Sequence, residues 1–457
     1  MLRGINMEDL LTIILAAGKG TRMKSEKTKV LHPIAGKEMV KHVIETVENL
    51  NSKIVSVIGY QSEKVKKSLD DYNIDFVKQE KQLGTAHAVM QAKKEIKKHE
   101  GPVIVLYGDI PLLKSSTLKK MIKKHKNDKA ALSILTAELD DPTDYGRIIK
   151  DENNEIIKIV EENDATNTEK KIKEINSGVY CFDSDVLAES LENIDCDNAQ
   201  NEYYLTDAVD YIKNKGHKVI PVMIEDNKEI IGVNDRKGLA EAEKVLRNRI
   251  NEKFMENGVT IIDPATTYID KEVEIEKDTT IYPFTYIEKN TVIGKNSTIG
   301  PNNRLVDAQI GNNVELKANC QIWESVVGDY CTVGPFAYIR PGCKISDQVK
   351  VGDFVELKKA QVGEKTKIPH LSYVGDAKIG EKTNVGAGTI FANYDGKNKH
   401  KTEIGDSVFI GSNSTLVAPI KINNRAMTGA GSVVTKDVDE DSIVLGVPAR
   451  VHSKKNK

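Results

Sequence analysis

From Ile269 onward an apolar residue returns at every sixth position, at Ile275, Ile281, Ile287, Ile293, Ile299 and Leu305. The period resumes at Val327, Val333, Ile339, Ile345, Val351 and Leu357. Shorter runs follow at Val362, Ile368 and Val374, at Ile379, Val385 and Phe391, and at Ile404, Ile410, Leu416 and Ile422. A helix repeats its buried face about every 3.6 residues and a flat strand about every second one, so neither produces this spacing. A coil of short strands with one inward side chain per side does. Chance spacing in an Ile- and Val-rich chain does not hold phase over seven and then six consecutive positions. Residues 258–457 are therefore expected to form a parallel β-helix of hexapeptide repeats. Glycine often follows the periodic residue, at Gly294, Gly300, Gly328, Gly334, Gly380, Gly386, Gly405 and Gly411, and is expected to supply tight corners with positive φ. The phase slips after Leu305, Leu357, Val374 and Phe391 are expected to be loops or irregular coils, where chemistry concentrates.

The first half follows another grammar. Up to about residue 236, β-rich runs at 12–15, 54–59 and 103–107 alternate with segments of helical pattern at 38–50 and 115–127. That alternation predicts a parallel sheet flanked by helices, a Rossmann-like α/β domain. Residues 237–257 are charged, with Leu239, Ala242, Val245, Leu246 and Ile250 at helical spacing, and read as a linking helix. A chain of 457 residues exceeds what one hydrophobic core organises. The expected division is 1–236, 237–257 and 258–457.

The 66 basic and 68 acidic side chains leave a formal charge of -2, which gives no basic field to hold nucleic acid or an anionic membrane. Lysine pairs such as Lys66-Lys67 and Lys93-Lys94 read as solvated helix faces. The cysteines at 181, 196, 320, 331 and 343 form no CxxC pair and leave one over in any disulfide pairing, which fits reduced thiols in a cytoplasmic protein. The apolar stretch 10–17 is preceded by Glu8 and Asp9 and followed by a Gly-rich run without a cleavage pattern, so it reads as a buried strand and not a signal peptide. No apolar run is long enough to span a bilayer.

Directly after the first strand comes Leu15-Ala16-Ala17-Gly18-Lys19-Gly20-Thr21-Arg22-Met23. Glycines let backbone N–H groups approach phosphate oxygens, and Lys19 and Arg22 can offset their charge. Three further motifs accompany it: Lys29 in Thr28-Lys29-Val30-Leu31-His32, the run Gln82-Leu83-Gly84-Thr85-Ala86-His87-Ala88, and Tyr107-Gly108-Asp109 at a strand end. A carboxylate at that end can hold Mg²⁺ or cap a helix. In the repeat region, bland hexads give way to Tyr338-Ile339-Arg340-Pro341-Gly342, to 354–360 around Lys358, to His370-Leu371-Ser372-Tyr373, and to a loop at 391–396. Imidazole, with a free pKa of about 6.5, can take a proton at neutral pH, so His370 is the candidate general base among these motifs.

The N-terminal motifs resemble the sugar-nucleotide pyrophosphorylases. With the hexapeptide repeats behind them, nearly the whole chain resembles the bifunctional N-acetylglucosamine-1-phosphate uridyltransferase/glucosamine-1-phosphate acetyltransferases. The resemblance implies an α/β nucleotidyltransferase domain followed by a left-handed parallel β-helix, assembled as a homotrimer. It implies that Leu15, Ala16, Ala17, Gly18, Gln79, Gly84 and Thr85, with Tyr107 and Gly108, bind UTP and that Arg22 and Lys29 meet its phosphates. Asp109 and Asn234 would hold Mg²⁺, and Gly146, Glu161 and Asn176 would line the sugar pocket. In the second half Arg340 and Lys358 would hold the sugar phosphate and Tyr373 and Asn384 the sugar. Ala387, Asn393, Tyr394, Ser412 and Ala430 would contact acetyl-CoA, with Arg450 of Gly446-Val447-Pro448-Ala449-Arg450 at a CoA phosphate. Thr28 stands where the family's pattern has proline. Two rival readings share this domain order: a monofunctional nucleotidyltransferase with a β-helix platform, and a non-catalytic subunit resembling the nucleotide-exchange subunits of translation initiation.

Overall fold

The computed structural model describes residues 10–454, so Glu8 and Asp9 lie outside the described residues. The chain forms two compact units that divide between Leu246 and Arg247. The division falls inside one helix, Arg236–Glu256, on which Ala242 is buried.

The first unit is built on a nine-stranded sheet. Its strands are β1 (Leu11–Ala16), β2 (Lys53–Ile58), β3 (Asp75–Lys78), β4 (Pro102–Tyr107), β5 (Leu132–Glu138), β6 (Arg147–Lys150), β7 (Ile156–Val160), β8 (Glu174–Asp183) and β9 (Val219–Met223). The order is β9-β5-β8-β4-β1-β2-β3, with the β6–β7 hairpin attached to β8. β1 is buried along its whole length, as the apolar stretch predicted, and pairs in parallel with β2 and β4. Helices Met39–Glu48 and Ser115–Asp128 form where the helical patterns stand, each turning its apolar stripe inward.

The sheet is mixed and not purely parallel, because β8 runs antiparallel to both β4 and β5. That strand carries Asn176, expected in the sugar pocket. Its register against β5 shifts between Asn176 and Tyr180, where Gly178 takes φ 77°. A bulge of this kind re-aims side chains, and a Cβ on Gly178 would stand 2.2 Å from the Tyr107 ring.

In the second unit the periodic residues point inward from three stacked parallel sheets. One coil runs through Thr280–Ile281, Tyr286–Glu288 and Val292–Ile293, and Thr298–Ile299 then pairs in parallel with the first of these. Ile281, Ile287, Ile293, Ile299 and Leu305 are fully buried. The stack ends in an antiparallel hairpin, Ser442–Gly446 with Ala449–Lys454. All five cysteines are free thiols; burial pushes those of Cys320 and Cys331 up to about 11.

Two expectations need correction. The slips after Leu305, Leu357 and Val374 are not loops: Ile310, Val362 and Ile379 carry on the inward column, and the coil merely loses one residue at a corner where Asp307, Lys359 and Asp376 take positive φ. Only the slip after Phe391 is a true excursion, leaving after Ile390–Ala392 and returning at Thr402–Ile404. The glycines of the repeat do not make the corners either, since of the eight singled out only Gly334 has positive φ. Corners are turned instead by residues such as Asn296, Asn302, Asn313, Asn319, Tyr330 and Phe336, about one per side of each coil. The glycines serve coil-to-coil approach: a Cβ on Gly328 would stand 2.3 Å from Asp347 Oδ1 and 2.8 Å from the Ser346 carbonyl carbon.

Candidate functional site

The carboxyl ends of β1 and β4 open into a cavity of about 440 Å³. Leu15, Ala16, Ala17, Gly18, Lys29, Gln79, Gly84, Thr85, Tyr107, Asp109, Gly146, Glu161, Asn176 and Asn234 all line it. Two expected residues do not. Gly108 is used by the sheet, its N–H donating to Leu15 O at 3.0 Å, and Arg22 is exposed on the short turn Thr21–Met23. Glu202 and Tyr145 also line the cavity; neither residue type by itself names a role.

Two separated motifs interlock to build one wall. Tyr203 N–H donates to Leu83 O, Ala86 N–H donates to Tyr203 O, and Leu205 N–H donates to Thr85 Oγ1 at 3.0 Å. Gly84 takes φ 111° there, and a Cβ on it would meet Tyr203 O at 2.5 Å, so only glycine fits. Gln79 is buried and its Nε2 donates to Gly84 O at 3.2 Å.

The opposite wall is tied down by a buried guanidinium. Arg147 donates to Tyr145 O, to a Glu162 carboxylate oxygen at 2.7 Å and to Lys170 O at 3.4 Å. Its neighbour Gly146 accepts from Asn176 N–H at 2.8 Å, and Asn176 Nδ2 donates to Tyr180 Oη at 2.7 Å. Burial raises the Glu161 carboxyl above its ordinary range, against the hydrogen bond from Thr206 Oγ1 at 3.1 Å. Burial likewise raises the Tyr107 phenol, with Glu161 and Asp109 adding to the shift.

At the mouth, Lys29 Nζ forms an ion pair with Asp109 and donates to Asn234 Oδ1 at 3.1 Å. Val233 N–H donates to Asp109 O at 2.9 Å, which binds the Asn234 loop to the end of β4. One carboxylate and one amide oxygen around a cation are the hard donors that suit Mg²⁺. No group of three or more His, Cys, Asp or Glu side chains that could hold a metal occurs among the described residues.

In the second unit, His370 and Asp353 occupy paired register positions on adjacent coils, and the imidazole Nδ1 meets the Asp353 carboxylate. That hydrogen bond holds Asp353 below the usual carboxylate range. With Nδ1–H donating there, Nε2 is the basic nitrogen; it has no partner among the described residues. The ring is half exposed at a corner of the coil. Successive coils stack Ala387, Ser412 and Ala430 on that same corner: Gly388 N–H donates to His370 O, Asn413 N–H to Ala387 O and Gly431 N–H to Ser412 O.

The other edge of the adjoining face is charged. Lys358 Nζ lies 3.3 Å from Asp376 Oδ2, which also accepts from Asn393 Nδ2 at 2.5 Å. Arg340 Nη1 donates to Glu356 at 2.8 Å, and Tyr373 stands at the register position of Glu356 one coil on. Lys399, which the sequence reading passed over, closes on this group: the Lys358 ammonium depresses its pKa. Tyr394 leads into the excursion and its hydroxyl donates to Gly396 O at 2.7 Å. Asn384 lies on another face, paired with Lys367, and Arg450 sits on the terminal hairpin, donating to Ala449 O at 3.0 Å.

Residues 11–236 match the nucleotidyl transferase family, 251–357 the EIF2B subunit epsilon LbH domain and 401–436 the bacterial transferase hexapeptide (six repeats). The Bifunctional protein GlmU of Listeria monocytogenes serotype 4a (strain HCC23) is 49% identical over 438 residues, 96% of this chain and 95% of its own. The chain belongs to the bifunctional GlmU family. The GlmU of Acetivibrio thermocellus is 49% identical over 440 residues, again 96% of this chain and 95% of its own, and that of Streptococcus agalactiae serotype V is 48% identical over 435 residues, 95% and 94%. Both units are thus covered by relatives named as bifunctional. Among solved structures, a putative glucose-1-phosphate thymidylyltransferase from Bacillus anthracis covers 52% of this chain and 94% of its own at 20% identity and a TM-score of 0.42, too remote a likeness to bear on function. No helix among the described residues is long and apolar enough to cross a membrane.

Proposed function

We propose that this GlmU chain makes UDP-N-acetylglucosamine in two steps. The second unit transfers acetyl from acetyl-CoA to the amine of glucosamine-1-phosphate, and the first transfers uridylyl from UTP to the resulting N-acetylglucosamine-1-phosphate, releasing pyrophosphate. The observation that carries the reading is the pairing of His370 with Asp353 on a β-helix corner, in a chain whose other unit opens a phosphate-suited cavity.

In the first step the neutral amine of glucosamine-1-phosphate attacks the thioester carbonyl carbon, His370 Nε2 takes the proton that the attacking nitrogen loses and Asp353 steadies the imidazolium that forms; the carbon–sulfur bond then breaks, and the CoA thiolate leaves with that proton. Arg340, Lys358 and Lys399 hold the phosphate of the sugar, Tyr373 and Asn384 its ring. Ala387, Asn393, Tyr394, Ser412 and Ala430 receive acetyl-CoA, and Arg450 a CoA phosphate. In the second step the sugar phosphate is already an anionic nucleophile, so positioning and charge neutralisation matter more than a base. Gly146, Glu161 and Asn176 orient the sugar; Arg22 and Lys29 neutralise the phosphates. Asp109 and Asn234 would hold Mg²⁺, which supplies further charge neutralisation on the phosphates when bound.

The reading carries a homotrimer, since coil faces packed around a threefold axis would be covered, and a cytoplasmic setting. The test is thiol release from acetyl-CoA by the purified chain with glucosamine-1-phosphate and no UTP. Release that depends on the sugar phosphate is expected. Its absence from a folded protein would leave the β-helix as a platform and overturn the first step.

A further inference from the structure

The Lys29 ammonium lies against both oxygens that would hold the metal, paired with Asp109 and 3.1 Å from Asn234 Oδ1. An ammonium and a divalent cation at the same two oxygens would repel at a few ångströms, so the two compete for the position. The protein brings only one carboxylate and one amide there, with no cluster of three or more metal-ligating side chains among the described residues. Mg²⁺ takes about six oxygens in near-octahedral array, and in such sites phosphates complete the set. The same phosphates attract Lys29. The Gly-rich loop lies directly against the stem of Lys29, where a Cβ on Gly20 would stand 2.5 Å from Lys29 Cβ, so phosphates cradled by that loop would come beside the lysine.

We infer that Lys29 and the divalent metal exchange at the Asp109–Asn234 pair. The nucleotide drives the exchange: its phosphates draw the ammonium off the carboxylate, and the freed oxygens admit the metal. Nucleotide and metal therefore bind cooperatively, and by linkage each raises the affinity of the other by the same factor. Lys29 thereby holds the carboxylate closed to metal until a triphosphate arrives. This rests on Asp109 and Asn234 being the metal ligands.

Mn²⁺, a paramagnetic substitute for Mg²⁺, tests the exchange without any catalysis. Binding to the full-length chain is followed by loss of the free-ion EPR signal, with no nucleotide present, in the wild type, Lys29→Gln, Lys29→Arg and the double variant Lys29→Gln/Asp109→Asn. Lys29→Gln is expected to bind Mn²⁺ roughly tenfold more tightly than the wild type, within the usual range of such couplings, although it loses affinity for UTP. Lys29→Arg, which keeps the cation, is expected to bind as weakly as the wild type. Equal Mn²⁺ affinity of the wild type and Lys29→Gln, with binding lost in the double variant, would overturn the exchange and leave the ligand assignment standing. Tight binding that survives in the double variant would put the ion elsewhere and overturn the ligand assignment with it. Should Lys29→Gln unfold, Lys29→Met carries the same comparison.

Discussion

Asp353 and His370 face each other across one coil of the β-helix, 17 residues apart in sequence, and the carboxylate accepts a hydrogen bond from imidazole Nδ1–H. Stacking brings together what the chain separates, because residues one coil apart become register neighbours. Asp353→Asn keeps the shape but can donate to Nδ1, which stabilises the wrong tautomer and weakens Nε2 as a base. Acetyl transfer is expected to fall by about 10²- to 10⁴-fold, and as far in His370→Ala, with uridylyl transfer unchanged. Steady-state rates of the two half-reactions on the same preparation check this. Full acetyl transfer by His370→Ala at pH 7 would remove it as the base.

Arg147 is almost fully buried, and its charge is matched by Glu162. Glu162 stays partly exposed and keeps Lys170 beside it, so the loss on removing Arg147 lies in the Tyr145 and Lys170 carbonyls left unpaired; Arg147→Ala should lose about 1–3 kcal/mol of unfolding free energy in denaturant titration. Arg147→Lys keeps the charge but not the fork. It is expected to raise KM for the sugar phosphate while leaving UTP affinity near the wild-type value, because Gly146 and Asn176 are hydrogen-bonded beside it.

The inter-coil glycines and the positive-φ corners predict opposite responses. Gly328→Ala forces a methyl against the coil above and is expected to cost about 1–3 kcal/mol. Asn313 sits at φ 55°, where glycine is free of strain. Asn313→Gly should change stability by less than Gly328→Ala; chemical denaturation of the pair decides it.

Asp207 opens the helix Asp207–Asn214, and burial together with Asp210, Asp195, Glu161 and Asp164 raises its carboxyl to about 6. A carboxyl raised in the folded state is ionised at a cost above that value. The cost is relieved as pH falls from about 6 toward the free-Asp value of about 3.9. Asp207→Asn should therefore raise Tm at pH 8, with the gain shrinking through that window. Scanning calorimetry of both proteins from pH 8 to pH 4 reads the effect. A gain independent of pH would rule out ionisation as its cause.

Period alone made the β-helix legible, because inward residues such as Ile281 and Ile299 have no alternative to burial in so thin a coil. The corners were not, since a left-handed φ at Lys289 or Tyr330 leaves no compositional mark. Strand β8 escaped notice for a related reason: its residues carry a bulge and a polar Asn-Ser-Gly run that breaks alternation. The cavity residues were recognisable from their motifs, but Lys399 and Asp353 were not, because a lysine in a polar loop and an aspartate at a coil corner look ordinary until stacking gives them partners. Gly108 was drawn into the site by its neighbours although its N–H serves the sheet.

The shortened corners at Asp307, Lys359 and Asp376 all fall between the same two faces, and the excursion from Ala392 to Thr402 leaves from that edge too. Chain length is thus variable along one edge of the prism, while insertions within a side would reverse which residues face the core. A lineage of such proteins can lengthen or trim loops along that edge without retuning the rest of the coil. New substrate contacts are cheapest to evolve there.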